Sequence, residues 1–157
     1  MAEHSAFQSM SVRAVADQSL GNASSVYHHR RREESGGESL LVSLLVPAFN
    51  EGAIIESNLH ILCCYMTEVY GDRYWEIVVV NDGSSDDTAE LAESVADHVP
   101  NVRVIHHLVN QGLGGALKTG IRECQGKYIV TLDLDLSYSP EHIERLVSRI
   151  QETHAKV

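Results

Sequence analysis

The chain has 157 residues, 43% of them hydrophobic, which suits one soluble globular domain with a real core and leaves little room for two. With 12 Lys and Arg against 22 Asp and Glu, the net charge of −10 excludes the broad basic footprint that nucleic acid requires. No stretch has the ~20 apolar residues of a membrane span, so membrane contact is peripheral at most.

Residues 1–39 hold Ser, Gly, His and Arg ("YHHRRREESGGES", 27–39) without an apolar run long enough for a signal peptide, and are expected to form a disordered N-terminal tail. Its Arg30–Arg32 cluster is followed at once by Glu33 and Glu34, the pattern of a solvated charge run.

The regular pattern starts at residue 40. "LLVSLLVP" (40–47) is a short, nearly continuous apolar run, as in a strand buried on both faces of a parallel sheet, and it ends in "PAFNE" (47–51), where Asn50 and Glu51 either cap the next helix or line a crevice. Ile55, Leu59, Leu62, Met66 and Val69 then recur at helical steps. Cys63 and Cys64 lie in this helix, and with Cys124 they lack metal-ligand spacing; they suit reduced, small hydrophobic residues of a cytoplasmic protein.

A second strand, "WEIVVVND" (75–82), runs into "NDGSSDDT" (81–88), where Asp82-Gly83 is a turn signal and Ser84, Ser85 or Asp86 can cap a helix that carries Leu91 and Val95. A third, "VRVIHH" (102–107), precedes "NQGLGG" (110–115) and a helix with Leu117, Ile121 and Cys124. This Gly-rich start is neither a P-loop, since Leu117 stands before Lys118-Thr119, nor a dinucleotide fingerprint, which needs Gly or Ala at 117 and belongs in the first βα turn. What remains is either a tight turn with close packing, or a helix N-terminus whose free N–H groups favour an anion, with Lys118 about one turn further in.

The fourth strand, "KYIVTLD" (127–133), ends in "TLDLDLSYSP" (131–140). On an extended chain residues two apart share a face, so Asp133 and Asp135 bring two carboxylates into one volume. That is either a solvated acidic turn or a seat for a hard divalent cation that also holds a phosphate. Ser139 and Pro140 then open a helix whose face carries Ile143, Leu146, Val147 and Ile150.

The order βαβαβαβα argues for a mainly parallel α/β fold with helices on both faces and a ligand crevice beyond the carboxyl ends of the strands. If the second and third strands lie to one side of the first and the fourth to the other, the crevice brings Asn50 and Glu51 near Asp133 and Asp135.

The four loops, in this order, resemble the nucleotide-binding half of family 2 glycosyltransferases of the GT-A fold. The residues that carry the likeness are Val46–Pro47–Ala48–Phe49–Asn50–Glu51, Val80 through Thr88, Asn110 with Gly112, Gly114, Ala116 and Gly120, and Asp133–Leu134–Asp135–Leu136–Ser137, which looks like a DxD motif. "DLDLSYSPEHI" (133–143) looks most like the polyprenol-phosphate (dolichol-phosphate mannose synthase-like) branch.

The resemblance implies a Rossmann-like GT-A half over residues 40–157 that transfers a sugar, with inversion, from UDP- or GDP-sugar to a polyprenol phosphate or other glycan or lipid acceptor. It implies that Pro47, Ala48, Asn50, Glu51, Asp82, Gly112, Lys118 and Asp133 meet the nucleotide-sugar, and that Asp133, Asp135 and Ser137 hold Mg²⁺ or Mn²⁺. In the branch it resembles, Gln often stands where Ser137 does. The family's acceptor site and catalytic base lie beyond the DxD region, and no residue of 141–157 is assigned that role. The expected location is cytoplasmic, with the cytoplasmic face of a membrane as the place of work if the acceptor is a lipid. Two rival readings share the α/β class: a nucleotide-sugar binding module without chemistry, and a CheY-like interaction domain whose acidic cluster binds Mg²⁺.

Overall fold

The alternation of apolar residues along each strand explains the layers. In the computed structural model, which describes residues 11–14 and 40–153, the chain forms β1 (Ser11–Ala14), β2 (Val42–Ala48), α1 (Ile55–Tyr70), β3 (Trp75–Asn81), α2 (Thr88–His98), β4 (Val102–His106), α3 (Gly112–Glu123), β5 (Tyr128–Thr131) and α4 (Glu141–Thr153). The sheet order is β1-β5-β2-β3-β4, and β5, β2, β3 and β4 pair in parallel.

Leu44, Val46, Ile77, Val79 and Val130 face one layer, built on Ile55, Leu59, Leu62 and Met66 of α1, Ala92 and Val95 of α2, and Ile143 and Val147 of α4. Leu45, Val78, Val80 and Ile129 point the other way, onto Ala116, Leu117 and Ile121 of α3. Both faces are covered, which is why these strands have continuous apolar runs. Gly120 lets α3 lie close on the sheet, since a Cβ built there would overlap the Leu45 side chain.

Two elements differ from the sequence reading. That reading places no strand before residue 40, yet Ser11–Ala14 pairs antiparallel with β5, from Ser11 opposite Thr131 to Ala14 opposite Tyr128. A four-residue edge strand needs only backbone partners, and "SVRA" has no apolar run to announce it. Residues 1–10 and 15–39, on which most of the tail expectation falls, lie outside the described residues.

The second difference is that β5 stops at Thr131, two residues short of Asp133. Leu132 N–H still donates to Leu45 O at 3.0 Å, but the chain then turns, with Leu136 at φ 53° and its N–H 3.3 Å from Asp133 O. Asn58 of α1 holds this turn by donating from Nδ2 to Leu134 O at 2.9 Å. The alternation persists as packing: Leu132 and Leu134 are buried in the core, and Asp133 and Asp135, which alternate with them, are left outside it.

The opposite end of the sheet is tied by a buried carboxylate. Glu76 Oε1 accepts from the Ser43 hydroxyl and from Gln125 N–H, each at 2.6 Å, and Oε2 accepts from Arg103 Nε and Nη2 at 3.2 and 3.0 Å. One side chain on β3 thereby joins β2, β4 and the α3–β5 connection.

Candidate functional site

At the carboxyl ends of β2, β3 and β5 and the start of α3 lies a cleft of about 480 Å³, lined by Pro47, Ala48, Phe49, Glu51, Asp82, Asn110, Gly112, Leu113, Ala116, Asp133, Leu134 and Asp135. β5 lies on one side of β2 and β3 on the other, so strand order reverses here, as the ligand crevice of an open parallel sheet requires. The lining includes four carboxylates and no Lys, Arg or His.

Of the residues expected from sequence, Pro47, Ala48, Glu51, Asp82, Gly112, Asp133 and Asp135 line this cleft, whereas Asn50, Lys118 and Ser137 do not. Asn50 (φ 55°) is spent on the loops themselves: its N–H donates to Ser84 Oγ at 3.0 Å, and its Oδ1 accepts Ser85 N–H at 2.8 Å. Glu51 N–H donates to Thr88 Oγ1 at 2.8 Å, and Gly52 N–H to Asp86 Oδ2 at 3.0 Å. The N-cap of α2 is Asp87, which makes no side-chain cap bond; of the three expected capping residues only Asp86, just before it, bonds the helix start, with Oδ1 accepting Thr88 N–H at 3.1 Å. No side chain caps α1, which starts with the Glu51 carbonyl accepting from Ile54 and Ile55 N–H. The first two loops are thus stapled together at the rim.

Asp82 stands at the end of β3, buried. Its Oδ1 receives Gln111 N–H at 2.9 Å and lies 2.6 Å from His107 Nδ1, while His107 Nε2 lies 2.9 Å from Thr119 Oγ1 on α3. Burial pushes its carboxyl pKa up, but hydrogen bonds from His107 and from the Gln111 and Gly112 N–H groups outweigh this and hold it below 3.8. Sequence reasoning passed over His107, and the pairing joins residues 25 apart, which no local pattern signals. It also passed over Leu113 as a lining residue, and named Phe49, Asn110, Ala116 and Leu134 only as parts of the motifs.

Glu51, Asp133 and Asp135 share the facing wall. Glu51 Oε2 is buried without a hydrogen-bond partner, and burial, then the charges of Asp135 and Asp133, raise the Glu51 pKa above 4.5. Asp135 is braced by Ser137, whose N–H donates to Oδ1 at 2.9 Å and whose hydroxyl donates to Oδ2 at 2.7 Å, contacts that lower its pKa. Ser137 therefore stands behind Asp135, its hydroxyl proton already committed. Lys118 is exposed on α3, away from the lining. Among the described residues no group of three or more His, Cys, Asp or Glu has the geometry of a metal cage.

A carboxylate whose folded pKa is raised costs stability above its unfolded value and nothing well below it. Glu51→Gln is therefore expected to raise the unfolding temperature by a few degrees near pH 7 and to change it little near pH 4, as thermal scans at the two pH values would show. Equal shifts at both would rule out charge repulsion as the cause.

The model of glycosyl transferase family 2 matches residues 43–157. The chain belongs to this family. Among curated members, it is 37% identical over 116 residues to undecaprenyl-phosphate 4-deoxy-4-formamido-L-arabinose transferase of Yersinia enterocolitica, covering 71% of this chain and 34% of that protein. It is 31% identical over 120 residues to dolichyl-phosphate beta-glucosyltransferase of Saccharomyces cerevisiae, covering 73% and 36%. The chain therefore spans about a third of the length of these relatives.

Among solved structures, mannosyltransferase PcManGT of Pyrobaculum calidifontis, in complex with GDP-Man and Mn²⁺, aligns with TM-score 0.56 and 27% identity over 62% of this chain and 28% of that one. TarS 1–349 of S. aureus, in complex with UDP-GlcNAc, aligns with TM-score 0.61 over 73% and 32%; at 24% identity it speaks for the GT-A fold alone. Membership of family 2 sets aside the CheY-like reading. No helix among the described residues is long and apolar enough to cross a membrane.

Proposed function

We propose that this chain forms the donor-binding part of an inverting, metal-dependent glycosyltransferase that takes a UDP- or GDP-sugar and passes the sugar to a polyprenol phosphate. One observation carries this: at the switch point of the sheet the cleft is walled by four carboxylates and no basic side chain, a surface that repels a diphosphate unless a cation lies between them. The unpartnered, buried Glu51 Oε2 and the mutual repulsion of Glu51, Asp133 and Asp135 fit such a cation. Asp133 and Asp135 would hold Mg²⁺ or Mn²⁺, whose charge when bound stabilises the leaving nucleoside diphosphate.

Pro47, Ala48 and Phe49 offer apolar contact to the base, Asp82 and Glu51 accept hydrogen bonds from base or ribose, and Gly112 at the start of α3 presents backbone to the phosphates. Ser137 acts through Asp135, Asn50 through the loop it pins, and Lys118 is given no contact. A lipid phosphate oxygen is already anionic, so this acceptor requires no general base. The names of the two curated relatives support that acceptor, and with it action at a membrane.

Calorimetric titration of the full chain with UDP, GDP and their sugars tests the reading. One nucleotide is expected to bind with Mn²⁺ and to be released by EDTA. Failure of a folded sample to bind any of them would overturn it.

A further inference from the structure

We propose that His107 is a positioning residue for donor binding, holding the Asp82 carboxylate in the orientation that a nucleotide meets, with Thr119 fixing its ring in turn. The proposal rests on the donor-site reading above. His107 sits just past β4, its N–H donating to Asn81 O at 2.9 Å, so its backbone is pinned to the end of β3 beside Asp82. Its side chain is only 6% exposed, and both ring nitrogens are engaged, at 2.6 Å from Asp82 Oδ1 and 2.9 Å from Thr119 Oγ1.

The tautomer follows from the partners. An ionised carboxylate can only accept, so Nδ1 carries the proton; in the neutral ring Nε2 then accepts from the Thr119 hydroxyl. His107 and Gln111 N–H converge on the same oxygen, Oδ1, which fixes the plane of the carboxylate, and Oδ2, which takes neither of these bonds, is the oxygen offered to a ligand. The ring also bridges β3 to α3, the helix whose first residue, Gly112, lines the cleft. Asp82 and the phosphate-facing turn are thereby held in one frame. A residue needed only to fill space would not require a donor at one ring nitrogen and an acceptor at the other.

The test is titration of the full chain, in Mn²⁺, with whichever of UDP and GDP the wild type binds, alongside thermal unfolding of each variant. In His107→Asn the amide N–H replaces Nδ1–H and keeps the Asp82 bond while losing Thr119; in His107→Gln the amide extends towards Thr119 and gives up Asp82. Binding is expected within about threefold of wild type for the Asn variant and roughly tenfold weaker for the Gln variant, the size of one charge-assisted hydrogen bond. Equal weakening by both, or no weakening by folded His107→Gln, overturns the proposal alone. Should His107→Gln fail to fold, Thr119→Val carries the test, with about threefold weaker binding expected and unchanged binding counting against the relay. A wild-type chain that binds neither nucleotide overturns the donor-site reading and the proposal together.

Discussion

Asp135→Asn is expected to weaken Mn²⁺-dependent nucleotide binding by about a hundredfold or more, since loss of a proposed direct ligand should cost at least as much as loss of an outer-shell partner. Asp135 is exposed, and both of its oxygens accept from Ser137. Asparagine can retain one of those bonds while removing the charge, so the turn at 133–136 should stand. The effect on unfolding should stay within about 0.5 kcal/mol, as for most surface substitutions. The same variant removes the largest of the three charges, those of Asp135, Asp133 and Asp86, that raise the Glu51 pKa, so Glu51 should titrate closer to its ordinary value of 4.5. Calorimetry with and without EDTA reads the first effect, and the pH dependence of unfolding reads the second. Unchanged nucleotide binding in the folded variant would remove Asp135 from the proposed metal site.

Glu76→Ala is expected to cost about 3–5 kcal/mol of folding stability, out of a total of about ten for a domain of this size. The carboxylate is buried and accepts four hydrogen bonds; without it the Ser43 hydroxyl and Gln125 N–H lose their acceptor inside the protein, at about 1–3 kcal/mol each. Arg103 costs less, because it is partly exposed, can be rehydrated, and still donates to Glu123 O at 2.6 Å. Urea unfolding should show the midpoint fall with the m-value unchanged. Nucleotide affinity of the folded fraction should be unaltered, since this network lies at the far end of the strands from the cleft. A loss below about 1 kcal/mol would mean that water takes over the acceptor's place.

Glu76 also shows where sequence reading runs out. In "WEIVVVND" a single Glu at the second position looks like the frayed start of a strand, and only its partners from β2, β4 and the α3–β5 connection make it a buried junction. His107 is the same case at the other end: two adjacent histidines close a strand, and which of them meets Asp82 depends on where Asp82 and Thr119 lie. Asn50 and Lys118 went the other way. Their residue types suit a ligand, but the fold turns Asn50 to the neighbouring loop and leaves Lys118 on the exposed side of α3.

Much else was plain from local pattern. Apolar runs of strand length alternating with helical spacing set the class and the element order, because each element must bury one face and the two periods, two and about 3.6, differ. The polar strand ends in "PAFNE", "NDGSSDDT", "NQGLGG" and "DLDLS" marked which end of the sheet carries the cleft and most of its lining. The tertiary structure alone decided that β5 stops at Thr131, that β1 covers its outer edge, and that Asp82 is clamped from α3 while Ser137 braces Asp135 from behind. Periodicity is written in neighbours along the chain, whereas a hydrogen bond between residues 25 or 49 positions apart exists only once the sheet has brought them together.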